Sequence, residues 1–247
     1  MSNPNFISND RFNSLDSELE FLDRQDCSPE LFAASFQFIE MINLYFGGIS
    51  VVRRFLAAET AGRPPGTPFR VLDIGSGSCD IPLAVLRWAR KKGISLHFTC
   101  LEMSGCAVDI ARAKISKAGN PPLRLLQEDA FTHQPDEQYD FATASMCFHH
   151  FSDAQILTLI ERLRGFVHNS VLINDLLRSE LAALAVRLLL VNRSAGVRHD
   201  TLLSIQRGFK VKELHTLLRK LDNVTVTVNP APWFRVAAVI RFKSIVC

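Results

Sequence analysis

Residues Arg70 to Pro82 read RVLDIGSGSCDIP, and this stretch restricts the fold more than any other part of the chain. Val71, Leu72 and Ile74 form an apolar run of strand length that carries Asp73 near its end and passes into Gly75 and Gly77. Ser78 to Pro82 then reads as a helix start. Glycines stand where the backbone takes positive φ or where a ligand lies against it, and the first turn of a helix leaves N–H groups for a polar ligand.

The rest of the chain limits what can surround this unit. With 247 residues it can bury one α/β core and an appended element. Hydrophobic residues make up 47% and charged residues 21%, which argues for a globular enzyme and against a disordered tail. A net charge of +3 is too slight to imply nucleic acid, and the densest basic cluster, Arg87, Arg90, Lys91 and Lys92, falls at a helix end where it answers the dipole. Cysteines 27, 79, 100, 106, 147 and 247 contain no C-x-x-C spacing, so the expectation is reduced thiols, no metal and a cytoplasmic protein. No apolar run reaches the roughly 18 residues needed to cross a bilayer, and stable membrane insertion is not expected.

Along the chain, a polar start to about residue 27 precedes an aromatic helix from Ser28 to Phe46, stopped by Gly47 and Gly48. A second helix spans about 50 to 61, before the linker Arg63-Pro64-Pro65-Gly66. Strands follow near 69–74, 95–101, 122–127, 138–145 and 169–175, with helices near 79–92, 104–118 and 153–166. That alternation predicts a parallel sheet with right-handed crossovers. After Asp175 the rhythm breaks into an apolar helix, Leu181 to Val191, and a polar stretch, Asn192 to Arg207. A helix at 211–221 and two strands, 224–229 and 234–242, complete the chain as an antiparallel pair.

Nicotinamide-binding turns run into G-x-G-x-x-G, whereas here a carboxylate stands at the strand end and Cys79 holds the third glycine position. Asp-x-Gly-x-Gly in this setting resembles the first motif of the class I S-adenosylmethionine-dependent methyltransferases, over about residues 66 to 247. The resemblance implies a Rossmann-like, doubly wound seven-stranded α/β sheet, mostly parallel with an antiparallel C-terminal strand. Residues 1–65 would add an N-terminal helical cap or lid, and 176–209 an inserted substrate-cap segment. It also implies S-adenosylmethionine as cofactor and S-adenosylhomocysteine as product, bound by Asp73, Gly75, Gly77, Glu102, Met103, Asp129, Ala130 and Ser145. Glu102, 25 residues after Gly77, ends the second strand where an acidic side chain accepts from both ribose hydroxyls. Asp129 and Ala130 match the family's adenine contact.

The fourth strand ends in Ser145-Met146-Cys147-Phe148-His149-His150. Enzymes that methylate nucleobase amines carry Asn or Asp before Pro-Pro here, so this segment is similar instead to the quinone, sugar and phenol methylase branch. His149 and Asp175, on strands that neighbour in the family's order, would meet over the cofactor's methyl group. The imidazole would take a hydroxyl proton and the carboxylate would fix its tautomer, with His150 or His199 the next candidate bases. Arg193 and His199, in the inserted segment, are expected to bind substrate. Leu181, Leu184, Leu188 and Val191 read equally as pocket wall or as core, and Phe32, Phe36 and Phe38 as lid or as sheet packing. The expected activity is methyl transfer to a hydroxyl oxygen, or to carbon, of a hydrophobic phenolic, polyketide or quinone-like acceptor. A catalytically weak cofactor-binding module is the alternative from another class, nucleic acid is not an expected partner, and a homodimer is left open.

Overall fold

The structure, a computed structural model, describes residues 29–64, 66–190 and 195–243. Its strands are β1 (Pro68–Ile74), β2 (Ser95–Leu101), β3 (Leu123–Leu126), β4 (Tyr139–Ser145), β5 (Val167–Leu176), β6 (Val224–Ala231) and β7 (Arg235–Phe242). They form one sheet in the order β3-β2-β1-β4-β5-β7-β6. The β1–β2, β1–β4, β2–β3 and β4–β5 pairs are parallel, and β7 runs antiparallel to both β5 and β6. This is the expected doubly wound, seven-stranded sheet with one reversed strand near its edge. The chain winds outward from β1 through β2 to β3, then returns to build the other half from β4. The crevice between β1 and β4 is therefore the switch point, where ligands bind in such sheets.

Strand parity assigns side chains to the two faces. Phe69, Val71, Phe141 and Leu172 pack with Val52, Phe55 and Leu86 on one face. Leu72, Ile74, Ala142, Ala144, Val171 and Ile173 pack with Ile156, Leu159, Leu214 and Leu218 on the other. The helices of the first face include α2 (Gly48–Glu59), α3 (Asp80–Lys92) and α4 (Gly105–Lys117), and those of the second include α5 (Asp153–Leu163) and α8 (Val211–Leu218). A capping box, Ser152 with Gln155, starts α5. α2 thus belongs to the main core: Phe55 meets Phe141 edge to face with centroids 6.0 Å apart, and the Phe69 ring lies 5.7 Å from the same ring.

Three helices lie above the carboxyl edge of the sheet: α1 (Pro29–Tyr45), α6 (Glu180–Leu189) and α7 (Ala195–Arg207). The last of these corrects the reading of 192–207 as a polar stretch. Its buried residues, Val197, Leu203 and Ile205, alternate with enough polar side chains to blur the helical period. α1 meets α7 through Phe38, Leu190 and Val197. Among the described side chains of α6, Ala182 and Ala183 are buried, while Leu181 is 68% and Leu184 55% exposed. Those two leucines are therefore not core. The proposed N-cap Ser28 and the side chains of Phe32, Leu188 and Val191 lie outside the described residues. After α7 the chain rejoins the sheet edge, where Phe209 N–H donates to Leu176 O at 2.9 Å and Arg178 N–H to Phe209 O at 2.9 Å. Among the described residues no single helix is long and apolar enough to cross a membrane.

Because Phe141 is 2% exposed and joins α2 to the sheet, Phe141→Ala should cost about 3–5 kcal/mol. Urea denaturation followed by circular dichroism measures it. A loss below 1 kcal/mol would mean that α2 is not part of the cooperative core.

Candidate active site

The turn after β1 repeatedly takes the left-handed conformation, with φ of +64° at Gly75, +53° at Gly77 and +57° at Cys79. A Cβ on Gly75 would stand 2.7 Å from Cys147 Sγ, and one on Gly77 would stand 3.1 Å from the Phe36 ring. Both glycines are required by backbone conformation and by close approach. At the third position the backbone still takes the shape that favours glycine, and Cys79, fully buried, carries the strain of a left-handed L-residue. Ser76 N–H donates to Leu101 O at 3.0 Å and Cys79 N–H to Ser76 O at 2.8 Å, fastening the turn to β2 and to itself.

Two carboxylates brace the turn. Asp73 is 4% exposed, and Thr143 Oγ1 donates to its Oδ1 at 2.6 Å across the β1–β4 register pair. Burial raises the Asp73 carboxyl to about 7, with Asp80 and Glu102 adding to the rise against the opposing hydrogen bonds from Thr143 and Ser76. Glu102 accepts from Gly77 N–H at 2.7 Å and from Ser104 N–H at 2.8 Å, so it ties the turn to the end of β2. Each oxygen keeps a lone pair for a further donor. Asp129 Oδ1 accepts from Phe131 N–H at 2.9 Å, which holds the loop after β3 so that Asp129 and Ala130 face the same space.

That space is a cavity of about 1060 Å³ over the switch point. Asp73, Gly75, Gly77, Glu102, Met103, Asp129, Ala130, Ser145, His149 and His150, drawn from the ends of β1, β2, β3 and β4 and their loops, all line it. α1 roofs it with Phe36, Phe38, Ile39, Ile42 and Phe46. Polar latches hold α1 down. Glu40 pairs with Lys114 and accepts from Ser78 Oγ at 2.7 Å, and Asn43 Nδ2 donates to Asp80 at 3.1 Å. The aromatic N-terminal helix is a roof as well as packing.

At the end of β4 the chain makes a 3-10 turn, Phe148–His150, which lowers His149 against β5. His149 Nδ1 lies 2.7 Å from Asp175 Oδ1. Asp175 Oδ1 also accepts from Leu176 N–H at 2.7 Å, and Oδ2 accepts from His149 N–H at 3.1 Å. Burial pushes the Asp175 carboxyl up, but His149 and these hydrogen bonds overcome it, leaving it below the usual carboxylate range. An ionised carboxylate surrounded by donors makes Nδ1 the protonated nitrogen, and the lone pair then sits on Nε2. Asp175 itself stands behind His149, away from the cavity lining. His150 stacks on His149 with ring centroids 4.2 Å apart, and burial followed by the His149 charge lowers it to about 3.

The acceptor-side expectations fare differently. Arg193 lies outside the described residues. His199 does not line the cavity, and its Nδ1 lies 3.4 Å from Asp200 Oδ1, whereas Asp200, Thr201, Ser204 and Arg207 of the same helix do line it. Sequence reasoning missed Asn43 and Arg235. Asn43 falls on the apolar face of α1, between Ile39 and Phe46, and it is 4% exposed. A lone amide within an apolar helical stripe was the available signal. Arg235 opens an apolar strand, where a charge reads as a solvated strand end, yet it is 1% exposed.

Residues 71–169 match the family model described as a methyltransferase domain. No curated protein matches the chain. Among solved structures it is similar to the plantazolicin methyltransferase BpumL in complex with SAH, with TM-score 0.68 and 14% identity over 90% of this chain and 92% of that one. Magnesium protoporphyrin IX methyltransferase from Synechocystis PCC 6803, with bound SAM, has TM-score 0.53 and 12% identity over 79% of this chain and 78% of that one. The S-adenosylmethionine-dependent methyltransferase SibL in its apo form has TM-score 0.58 and 19% identity, over 87% of this chain and 60% of that one. The matched residues run from β1 into β5 and hold Asp73, Glu102, Asp129 and His149, so this part of the chain resembles a methyltransferase domain, and the sheet has the fold of those methyltransferases.

Proposed function

We propose that this protein is an S-adenosylmethionine-dependent methyltransferase that moves the donor's methyl group to a hydroxyl oxygen of a hydrophobic small molecule, with His149 as general base. The single observation that carries the reading is the His149–Asp175 pair, 2.7 Å apart, with its imidazole on the wall of the cavity that the glycine turn opens into. Structural neighbours crystallised with SAM or SAH support the donor. So does the donor set present here: Glu102 has lone pairs to spare for ribose hydroxyls, Asp73 offers a carboxylate to a cationic amino acid, and Asp129 accepts beside the small Ala130.

When bound, the donor supplies a methyl group already activated on a sulfonium. The chain must then align the acceptor oxygen with it and remove one proton. As the oxygen–carbon bond forms and the carbon–sulfur bond breaks, His149 Nε2 takes the hydroxyl proton and Asp175 stabilises the resulting imidazolium. His150, kept neutral down to about pH 3, is too weak a base for an alcohol and serves as wall. In this reading α1 alone caps the cavity, α2 packs into the core of the sheet rather than serving as a lid, and the 176–209 insertion is the acceptor wall. The aromatic and aliphatic roof of α1 suits an apolar acceptor.

Calorimetric titration with S-adenosylhomocysteine should give saturable micromolar binding that Asp73→Ala with Glu102→Ala removes, and absence of binding to the wild type would sink the reading. With a phenol found by screening, His149→Ala should lower kcat about 10²- to 10⁴-fold, and Asp175→Asn should lower it strongly through the wrong tautomer. Unchanged rates would remove His149 from the role. A methyl group found on carbon would select the C-methyl alternative, and binding without transfer to any acceptor would select a binding module.

Asp73 also dictates a pH dependence. Its folded pKa, about 7, is raised above the unfolded carboxylate value, so its stability contribution is present at low pH and is lost as pH rises through 7. Asp73→Asn should therefore gain stability over wild type between pH 4 and 7 and hold a gain on the order of a few kcal/mol at pH 8. Binding of the ligand's α-ammonium group favours the ionised form, so wild-type affinity for S-adenosylhomocysteine should fall as pH drops from 8 to 6, by up to about tenfold per unit. A flat profile in thermal melts and titrations would contradict both expectations.

A further inference from the structure

Arg235 is the largest fully buried side chain among the described residues, and it lines the cavity. Two of its nitrogens are held by the cap: Nε donates to Phe46 O at 2.8 Å and Nη2 to Asn43 Oδ1 at 3.0 Å. Nη2 also reaches the Met146 thioether at 3.3 Å, a weak acceptor. Nη1 is buried and has no hydrogen-bond partner among the described residues. No carboxylate lies within ion-pair distance of this guanidinium among the described residues, although Asp80 and Asp175 act on it from further away.

A buried cation held in position but left unpaired is costly unless a ligand completes it. The rest of the site narrows the ligand. Asp73, Asp80, Glu102, Glu128, Asp129 and Asp200 line the same cavity, so a doubly charged phosphate would meet heavy repulsion, while one carboxylate needs one guanidinium. Nη1, together with the Nη2 edge that now rests on a thioether, offers the parallel N–H pair that a carboxylate takes in bidentate fashion. The guanidinium lies between the α1 roof and Met146, just beyond the end of β4, and so beside the crevice of the switch point.

We propose that Arg235 is the carboxylate anchor of this cavity, with Asn43 and the Phe46 carbonyl holding its guanidinium in place. The carboxylate comes either from the methionine part of the donor or from the acceptor, and the first source rests on the donor reading above. Because Asn43 also binds Asp80, the anchor joins the α1 roof to the α3 N-terminus.

The test is calorimetric titration of wild type, Arg235→Met and Arg235→Lys with S-adenosylhomocysteine and with its decarboxylated analogue, and with benzoate in the presence and absence of S-adenosylhomocysteine. If the donor supplies the carboxylate, the wild type should bind the analogue about tenfold or more weakly than S-adenosylhomocysteine. That preference should shrink in Arg235→Lys and vanish in Arg235→Met. If the acceptor supplies it, the two nucleosides bind alike, and benzoate binds saturably to the wild type and not to Arg235→Met. Equal nucleoside binding with no benzoate binding to the wild type overturns the proposal, and this comparison needs no variant to fold. An undiminished carboxylate preference in folded Arg235→Met overturns it too. Saturable benzoate binding by a wild type that binds neither nucleoside keeps the anchor and removes the donor reading.

Discussion

The hydrogen bond from Thr143 to Asp73, 2.6 Å long, depends on the register that pairs β1 with β4, and most of the site depends on the same register. Parity along β1 sends Phe69 and Val71 into the core under α2 and α3, and Asp73 follows them on that face at the strand's last turn. Thr143 follows Phe141 in the same way. A slip of one residue would exchange both for apolar neighbours and turn the carboxylate into the opposite core. On β5 the alternation divides two polar residues between the faces. Asn174 reaches the Gly48 carbonyl of α2 at 3.1 Å, and Asp175 faces the 3-10 turn and His149. The donor side and the proposed proton-transfer side are thus set by one sheet, with no separate scaffold for either.

The cost of this arrangement falls on buried charge. Asp73 and Asp80 are both pushed up by burial, and Arg235 is lowered to about 10, so the site charges its groups at the expense of folded stability. Asp175 is the exception, because two backbone N–H groups and an imidazole surround it. Among the described residues no ion pair relieves the others within the cavity, and two apolar clusters on the faces of the sheet must offset them. In the proposed reading a zwitterionic ligand would meet a carboxylate at Asp73 and a cation at Arg235, each left poorly compensated by the protein itself.

The residues proposed for the donor half were legible in the chain because they lie in contiguous motifs at strand ends. Asp73, Gly75, Gly77, Glu102 and Asp129 each follow an apolar run, and such runs fix their own direction and end. Even the departure at Cys79 was informative, since the backbone there takes φ +57°. The His149–Asp175 contact could be anticipated from the strand order that the family resemblance implies. The helix over Ala195–Arg207 was not legible, because a helix packed between a roof and a cavity shows neither a clean apolar stripe nor a solvated face. On α6 the leucines suggested burial, yet alanines occupy the close contact, because small side chains let the helix approach α7.

Arg235 and Asn43 escaped for a further reason: neither has a local partner. Their meaning comes from a contact spanning 192 residues, between the first helix and the last strand. Each looks ordinary in its own segment, an amide in an apolar helix and a charge at a strand's start. Only closure of the sheet, which puts Arg235 opposite Leu176 on the same edge as Asp175, brings them together. The roof is consequently more than hydrophobic cover. Glu40, Asn43 and the Phe46 carbonyl, at successive turns of α1 and just beyond it, bind Lys114 and Ser78, then Asp80, then Arg235. Any motion that lifts α1 must break these contacts as a series along the helix. The same polar line that seats the roof therefore sets how far the cavity can open at each end, with the glycine turn under one end and the guanidinium under the other.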